Sequence, residues 1–465
     1  MGRDFLRRGF IARAAASPRF PGAARLFTLA VFLLLVAGGL AVPHVSPGMT
    51  GILRNTNLAS LIVWSLWWPL VIMSAAVLGR VWCTVCPMEM AASACSRIGL
   101  KKRIPRFLAS GRGVVFFYIL ALLGFIRTFW AHRYPERMAL FFLFLLGSAA
   151  AAGFLFNRRA FCSHLCPVGR ILGLYACGAV LEWRVRDPGI CAACGGKNCL
   201  SRPEAGRGPA GTCPSGLHPA AIRDNRDCLV CTECLKACPS RNLRLSPRKP
   251  LSDFFTGLRL RRTDLFLLVP VSGLVVWELA EEWGPARKAL EAVPAAANAA
   301  LGLSGGAANF VQAVILFLLF PALLLLIPAA AGRMLNKTTL LESARTFGLL
   351  LLPVTAFGHL VKALIRIASR LPYYAPAFRD PAGLETARAI AAGSLKIDDR
   401  LAAAVAPAVS ILAVIVLAGA VISIGLIVRK SPVLRAFGKA GRLSHGAFAA
   451  LYGLALLAAA ALARF

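Results

Sequence analysis

The chain has 465 residues, of which 58% are hydrophobic and 16% are charged, and its mean hydropathy is +0.68. Soluble proteins carry about 25% charged residues, so this composition excludes an ordinary soluble enzyme and favours a membrane protein. The net charge of +33 could indicate nucleic-acid binding. The basic residues flank apolar blocks, however, as expected for membrane orientation and anionic lipid, and we expect no nucleic-acid partner.

About nine apolar blocks predict membrane-spanning helices, since roughly 18 or more apolar residues are needed to cross a bilayer. The blocks lie at approximately 26–43, 58–79, 113–131, 138–156, 264–282, 309–332, 346–368, 403–428 and 443–463. The predicted fold class is therefore an all-α polytopic membrane protein, and the lipid bilayer is its first expected partner.

The basic residues beside these blocks predict the orientation. Six arginines precede the first block, whereas the loop at 44–57 contains one basic residue, Arg54. We therefore predict a cytoplasmic N-terminus in a bacterial inner membrane. Counting blocks places 80–112, 157–263 and 429–442 in the cytoplasm and Phe465 on the opposite side. The rule is least satisfied at the seventh block, which should end outside and yet has three basic residues there: Lys362, Arg366 and Arg370.

Two similar cysteine motifs follow the second and fourth blocks. "GRVWCTVCPMEMAASAC" covers 79–95 and "NRRAFCSHLCPVGRILGLYAC" covers 157–177, so a two-span hairpin ending in a cysteine pair occurs twice. Cysteines three or four apart at the start of a helix share one face. If the two pairs meet, they offer four thiolates to one cluster at the membrane surface: Cys83, Cys86, Cys162 and Cys166.

Other interpretations of these motifs remain open. Each pair could instead be a redox dithiol or a copper or zinc clamp. Cys95 and Cys177 are interpreted as packed small hydrophobic residues, with ligation as the alternative. His164 lies inside the second motif and either tunes the predicted centre or is an exposed loop residue.

The sequence "CLVCTECLKACP" at 228–239 has the C-x2-C-x2-C-x3-C-P spacing of bacterial ferredoxins, which is too tight for the usual zinc pairs. An upstream run at 191–214 has the longer spacing C-x2-C-x4-C-x13-C-P. All fourteen cysteines lie before residue 239 and are predicted to face the cytoplasm, where disulfides are rare.

Paired ferredoxin runs exchange their fourth ligands, and we predict the same exchange here. One [4Fe–4S] cluster is expected on Cys191, Cys194, Cys199 and Cys238. The other is expected on Cys228, Cys231, Cys234 and Cys213. The long insert before Cys213 leaves a zinc site or a three-iron cluster as the alternative for the first run.

These motifs resemble those of NapH/NosR-type membrane-bound 4Fe–4S ferredoxins, which carry paired C-x3-C-P motifs beside transmembrane helices and then a cytoplasmic two-cluster segment. The motif at 157–177 has that spacing, and the motif at 79–95 has a form that is one residue shorter. The resemblance covers roughly 25–250. It implies quinol-linked electron transfer to or from a redox partner protein or the subunits of a complex, and the five C-terminal blocks lie outside it.

The C-terminal half contains no cysteine and only two histidines, His359 and His445, whose predicted depths differ too much for one haem. His359 and Lys362 lie inside a span, where ionisable groups are costly and often functional, so they form a candidate quinone or proton site. A satisfied interhelical hydrogen bond or a snorkelling lysine is the structural alternative. Three acidic residues near the end of the fifth block are expected to form a solvated helix end: Glu278, Glu281 and Glu282.

The sequence thus predicts a four-helix membrane region with repeated Cys-Pro motifs (1–183), a cytoplasmic inserted two-[4Fe–4S] ferredoxin-like domain (184–250) and a five-helix membrane region (251–465). The predicted function is electron transfer between the quinone pool and a redox partner protein, as in a quinol-dehydrogenase-type subunit. It would use two [4Fe–4S] clusters, a third iron–sulfur cluster at the membrane edge, and quinone as a mobile partner. The alternatives are a membrane-tethered reductase or assembly factor for a metalloenzyme, and a redox-sensing transporter.

Overall fold

The computed structural model describes residues 4–7, 9–43, 47–156, 160–200, 213 and 215–463. The insert at 201–212 and the predicted position of Phe465 lie outside the described residues. Within the described ranges, eight helices are long and apolar enough to cross a membrane, judged by length and composition. They are Gly22–Leu40, Leu58–Leu78, Pro135–Leu155, Arg262–Ala280, Gly305–Asn336, Leu340–Arg379, Arg400–Lys430 and Lys439–Leu462.

The third predicted span, 113–131, is a shorter helix. Arg112–Ile119 continues as the π-helical segment Leu120–Thr128, and the helix ends where the Thr128 hydroxyl donates to the Leu123 carbonyl at 2.6 Å. Arginines near both ends of this helix leave a short apolar stretch between them. The predicted number of nine spans is therefore not confirmed.

Shorter elements join the long helices. The α-helices are Phe10–Ala16, Thr50–Thr56, Val81–Val85, Pro87–Ile98, Arg106–Ala109, Ala160–His164, Pro167–Ala176, Pro188–Ala192, Glu233–Ala237, Ser252–Phe255, Gly284–Ala300, Leu384–Ala391 and Pro432–Arg435. Three-residue 3₁₀ turns lie at Pro47–Met49, Pro219–Ala221 and Leu371–Tyr373.

Internal contacts divide the chain into two compact units that are each discontinuous in sequence. The first unit comprises Met1–Phe32, Ser74–Val114 and Leu145–Leu258, and it contains every cysteine. The second comprises Leu33–Met73, Val115–Phe144 and Arg259–Phe465. The three consecutive regions predicted from the sequence remain a prediction.

A two-stranded antiparallel sheet lies in the part of the first unit that contains the cysteine runs at 191–238. Strand Leu181–Val185 pairs with Leu243–Pro247, and Trp183 stands opposite Leu245. Two strands alone are marginally stable in water, so packing must support them. Trp183 is only 2% exposed and forms a hydrophobic cluster with Cys234 and Leu235.

The N-terminal segment packs on this same sheet. Leu6 and Ala15 belong to the Trp183 cluster, and the backbone N–H of Phe5 donates to the Leu245 carbonyl at 2.9 Å. Asp4 forms an ion pair with Arg186 at 2.9 Å. The segment is thus part of the hydrophobic cluster around Trp183 as well as a basic tail before the first long helix.

The ends of two long helices are held beside the cysteine motifs in the first unit. The backbone N–H of Leu100 donates to the Phe154 carbonyl at 2.7 Å, and a Cβ on Gly153 would lie 2.2 Å from the Ala92 carbonyl oxygen. The backbone N–H of Val180 donates to the Val77 carbonyl at 3.1 Å. Glycine is needed at 153 because only a hydrogen fits there.

In the second unit, Leu340–Arg370 is the central helix and packs against Arg262–Ala280, Phe320–Asn336 and Arg400–Lys430. His445 is fully buried, and its two ring nitrogens contact Ser343 Oγ at 3.0 Å and the Gly441 carbonyl at 2.7 Å. Both nitrogens are therefore engaged in hydrogen bonds, which agrees with the argument against haem.

Candidate metal centres

The first group of cysteines contains members of both Cys-Pro motifs. Cys86 lies within electrostatic range of Cys166 and Cys83. Cys86 and Cys166 each precede a proline that begins a helix, as suits proline in a first helical turn. The fourth member, Cys162, lies in the short helix just before Cys166. The local fold therefore brings the two repeats to one place.

The raised pKa values of Cys86 and Cys166 disfavour thiolates that have no positive partner. Burial raises the pKa of Cys86, and the neighbouring Cys166 and Cys83 raise it further. Burial also raises the pKa of Cys166 to about 11, although the Gly169 N–H donates to its sulfur at 3.3 Å. Several thiolates can share so buried a place only if a positive centre compensates their charge. A sulfur-only donor set with nearby N–H groups fits an iron–sulfur cluster.

Arg80 is a neighbour of these cysteines that the sequence analysis did not single out. Its side chain is buried, donates to the Arg226 carbonyl at 3.0 Å, and lies within electrostatic range of Cys83 and Cys166. The sequence feature that could have identified Arg80 is the basic residue that stands three positions before the first cysteine of each motif. The corresponding Arg159 of the second motif lies outside the described residues.

An ion pair connects the first motif to the first long helix. Arg25 Nε lies 2.6 Å from Glu89 Oε2, and Glu89 is only 1% exposed. Arg25 Nε also donates to the Thr84 carbonyl at 2.7 Å, and Ser93 Oγ donates to Glu89 Oε1 at 2.6 Å. These bonds fix the loop that carries Cys83 and Cys86 to the first long helix.

The second group joins the two ferredoxin-like runs. Cys199 lies within electrostatic range of Cys238 as well as of Cys191 and Cys194. Asn242 connects the two runs, because its backbone N–H donates to Cys238 Sγ and its side-chain amide donates to Cys191 Sγ, both at 3.4 Å. The structure thus places together the residues that the predicted exchange of ligands requires.

The third group borders a small pocket that is also lined by Trp183 and Leu229. Cys234 lies within electrostatic range of Cys231, Cys228 and Cys213, and all four cysteines line the pocket. The indole N–H of Trp183 donates to Cys234 Sγ at 3.2 Å. Four cysteines around one pocket supply the number of thiolates that a cubane cluster needs.

The loop of this third group carries backbone strain. Val230 and Thr232 have φ values of 57° and 64°, which is unusual for β-branched residues. The N–H of Val230 donates to the sulfur of Cys228, which partly offsets the effect of burial in raising the pKa of that thiol to about 11. Strain of this kind concentrates at functional sites, and here it shapes the loop around the sulfur atoms.

The other candidate residues of the first unit are placed differently. Cys177 is fully buried, and its thiol approaches the Gly173 carbonyl at 3.6 Å, as a packed cysteine does. Cys95 is half-buried. His164 is also half-buried; burial lowers its pKa, and a backbone hydrogen bond with Leu108 acts in the other direction. Among the described residues, no three His, Cys, Asp or Glu side chains are arranged around a single metal ion, whereas each ligand of a cubane binds a different iron.

His359 and Lys362 lie in a buried ion-pair network of the second unit. His359 is 3% exposed, and its ring centre is 5.8 Å from that of Trp68. Lys362 Nζ donates to Glu282 Oε1 and to the Glu278 carbonyl, both at 2.7 Å, and Arg366 pairs with Glu278 at 2.5 Å. The expectation of a solvated acidic helix end was wrong for Glu278, which is 7% exposed, because the neighbouring helix supplies its cationic partners.

Comparison with known families supports the cysteine motifs. A family described as a 4Fe–4S binding domain matches residues 60–103 and 138–188. These two segments contain both Cys-Pro motifs together with parts of the spans that precede them. No curated protein and no solved structure matches the chain. The family match supports a ferredoxin-like iron–sulfur protein and indicates iron–sulfur electron transfer, while the long apolar helices suggest a membrane protein.

Proposed function

We propose that this protein passes single electrons between the quinone pool of a bacterial inner membrane and a redox partner protein. The observation that carries this proposal is the meeting of Cys86 with Cys83 and Cys166, because each motif directly follows a long apolar helix. A quinone stays in the lipid phase, so its electrons need a centre at the membrane edge before they can reach the ferredoxin-like part.

Three clusters would form the path, and the chain would hold and insulate them. An iron–sulfur cluster supplies reversible one-electron transfer when it is bound. The membrane-edge centre would use Cys83, Cys86, Cys162 and Cys166. The two ferredoxin-like centres would use the sets already described, with the N–H groups of Trp183 and Asn242 directed at their sulfur atoms. The Gly169 N–H is directed at Cys166 of the membrane-edge centre. Such N–H donors stabilise negative charge on the sulfur and tune the potential.

His359 and Lys362 are proposed to handle protons or quinone in the second unit. Charged groups are rare inside spans and usually serve a function. The buried pairs with Glu278 and Glu282 give this region both proton acceptors and donors. His359→Gln is expected to slow quinol oxidation without changing the iron content.

The third cluster can be tested with purified full-length protein. We expect about twelve iron atoms per chain in the wild type and about eight in Cys83→Ala or Cys166→Ala, since one four-iron cluster is lost. The two ferredoxin-like signals should remain, but rapid-mixing experiments should show slower reduction by quinol. Cys95→Ala is the matched control and should retain all the iron. Unchanged iron and unchanged rates in both ligand variants would remove the membrane-edge centre from the proposal.

The exchange of ligands between the ferredoxin-like runs makes a second prediction. Cys213→Ala should damage the cluster of Cys228, Cys231 and Cys234, and Cys238→Ala should damage the cluster nearer to Cys191. Electron paramagnetic resonance spectra of the two variants would show which signal disappears. If each variant lost the signal of its own sequence run, the exchange would be disproved.

A further inference from the structure

Six cationic side chains gather at one end of the helices of the second unit. Arg54 lies within electrostatic range of Arg133, Arg366 and Arg370, and Arg127 lies within range of Arg133 and the acidic residues that follow Trp277. With Lys362 the set has six cations, whereas the nearby helix end supplies three carboxylates: Glu278, Glu281 and Glu282. We call the five arginines and Lys362 the arginine cluster.

Ion pairing within the chain accounts for only part of this charge. Lys362 pairs with Glu282 at 2.7 Å, and Arg366 pairs with Glu278 at 2.5 Å. Across the described ranges, the four remaining cations have no carboxylate within ion-pair distance: Arg54, Arg127, Arg133 and Arg370. These four side chains are half-buried, so bulk water cannot solvate them fully.

The repulsion is greatest around Arg54. Burial, together with the charges of Arg370, Arg366 and Arg133, lowers the pKa of Arg54 to about 10. The short helix Thr50–Thr56, which carries Arg54, is nevertheless fixed in place, because Thr56 Oγ1 donates to the Gly383 carbonyl at 2.9 Å. The fold thus holds like charges together, and an anion bound between them would relieve the repulsion.

Buried donors without acceptors lie in the same region. The Nε atoms of Arg127 and Arg133 and the indole nitrogen of Trp277 are buried and have no hydrogen-bond partner within the part of the chain that the structure describes. Trp277 is 9% exposed, and the Arg127 guanidinium stands 4.1 Å above its ring centre. Buried donors are almost always satisfied in folded proteins, so these groups lack an acceptor that a ligand can provide.

We propose that the arginine cluster binds a phosphate group, as carried by an anionic phospholipid headgroup or by free phosphate. Guanidinium groups bind phosphate oxygens through paired N–H donors, and basic pockets between membrane helices bind lipid headgroups. The ends of apolar helices lie at the depth of those headgroups. A bound phosphate also explains why basic residues remain at the end of the seventh predicted block, where the orientation rule disfavours them.

The test uses the full-length protein purified in detergent, with native mass spectrometry to detect retained phospholipid. Arg54→Gln and Arg370→Gln remove cations that have no internal carboxylate partner, so neither change strands an acidic residue. Arg388→Gln is the matched control, because Arg388 is an exposed arginine of the second unit outside the cluster. After removal of lipid, thermal unfolding is measured with phosphatidylglycerol micelles, with phosphatidylcholine micelles and with inorganic phosphate.

We expect the wild type and Arg388→Gln to retain anionic phospholipid. The Arg54→Gln/Arg370→Gln double variant should retain at least about tenfold less phospholipid than the wild type. Stabilisation by phosphatidylglycerol alone would identify the lipid as the source, and stabilisation by inorganic phosphate would identify a soluble anion. Equal retention in the double variant, or a wild type that responds to neither probe, would overturn the proposal. If the double variant does not fold, Arg370→Gln alone and the wild-type titrations decide the question, and none of these readouts depends on electron transfer.

Discussion

The two Cys-Pro motifs have the same order of residue types, with one residue fewer between the cysteines of the first, but they differ in what surrounds their cysteines. The first motif contributes charge, with Arg80 beside Cys83 and with the Arg25–Glu89 pair beneath the loop. The second motif instead has glycines where neighbouring groups approach its backbone closely. A Cβ on Gly169 would lie 2.9 Å from the Arg80 guanidinium, and one on Gly173 would lie 2.4 Å from the Arg226 carbonyl oxygen.

This difference shows that the repeats are complementary. The position three residues after the second cysteine is Glu89 in the first motif and Gly169 in the second. The glycine leaves room for the arginine of the other motif, so a single guanidinium can serve both cysteine pairs. The two motifs repeat their cysteines in different environments, and they should therefore respond differently to substitution.

The largest effect is expected from breaking the buried pair of the first motif. Glu89→Gln should lower the free energy of unfolding by about 3 kcal/mol, because it removes the buried carboxylate that forms an ion pair with Arg25. Equilibrium unfolding in mixed micelles measures the change. The control is Glu291→Gln, which breaks the exposed pair with Arg287 and should cost less than about 0.5 kcal/mol. Equal losses in the two variants would contradict the supporting role of the Glu89 pair.

The second motif should be sensitive to added volume instead of lost charge. Gly173→Ala should lower the free energy of unfolding by about 2 kcal/mol, since the methyl group meets backbone that cannot move easily. Gly178→Ala is the control, because the nearest heavy atom to a Cβ there is 3.5 Å away. The same unfolding measurement applies. A tolerated Gly173→Ala would show that the helix can shift away from Arg226, and the space argument would fail.

The local features of the fold could be predicted from the sequence, and the contacts between distant segments could not. Eight long helices correspond to predicted apolar blocks, because apolar length is a local property. Glu278 appeared solvated because its partner Arg366 lies 88 residues further along the chain. The shared hydrophobic cluster of Leu6 and Trp183 could not be predicted from the sequence, because the two residues lie far apart along the chain.

The cysteine geometry also bears on the third predicted span, 113–131, which is not among the eight long helices. Cys86 follows the C-terminal end of Leu58–Leu78, and Cys166 follows that of Pro135–Leu155. If both long helices cross the membrane, their C-terminal ends share one side only when the chain crosses back between them. The helix at 112–128 lies in that interval. The proximity of Cys86 and Cys166 therefore favours a crossing by this helix despite its short length.

The smallest effect is expected at Arg80, where the two motifs meet. Arg80→Gln removes a buried positive charge beside Cys83 and Cys166. Adding an electron to the membrane-edge centre increases its negative charge, so losing the guanidinium makes reduction less favourable. The midpoint potential of that centre should fall by about 50 mV, which corresponds to a charge interaction of roughly 1 kcal/mol in a protein interior. A redox titration followed by electron paramagnetic resonance measures the shift.

Two further variants separate charge from structure at this position. Arg80→Lys keeps the charge but loses the planar donor group that reaches the Arg226 carbonyl, so most of the potential should be restored if charge is the cause. Arg223→Gln removes an exposed arginine of the same unit and should leave the potential unchanged, because solvent screens that charge. The ferredoxin-like centres should shift less than the membrane-edge centre in Arg80→Gln. An equal shift at all centres would mean that Arg80 acts through the fold of the whole unit, and its assignment to the shared cysteine group would then be wrong.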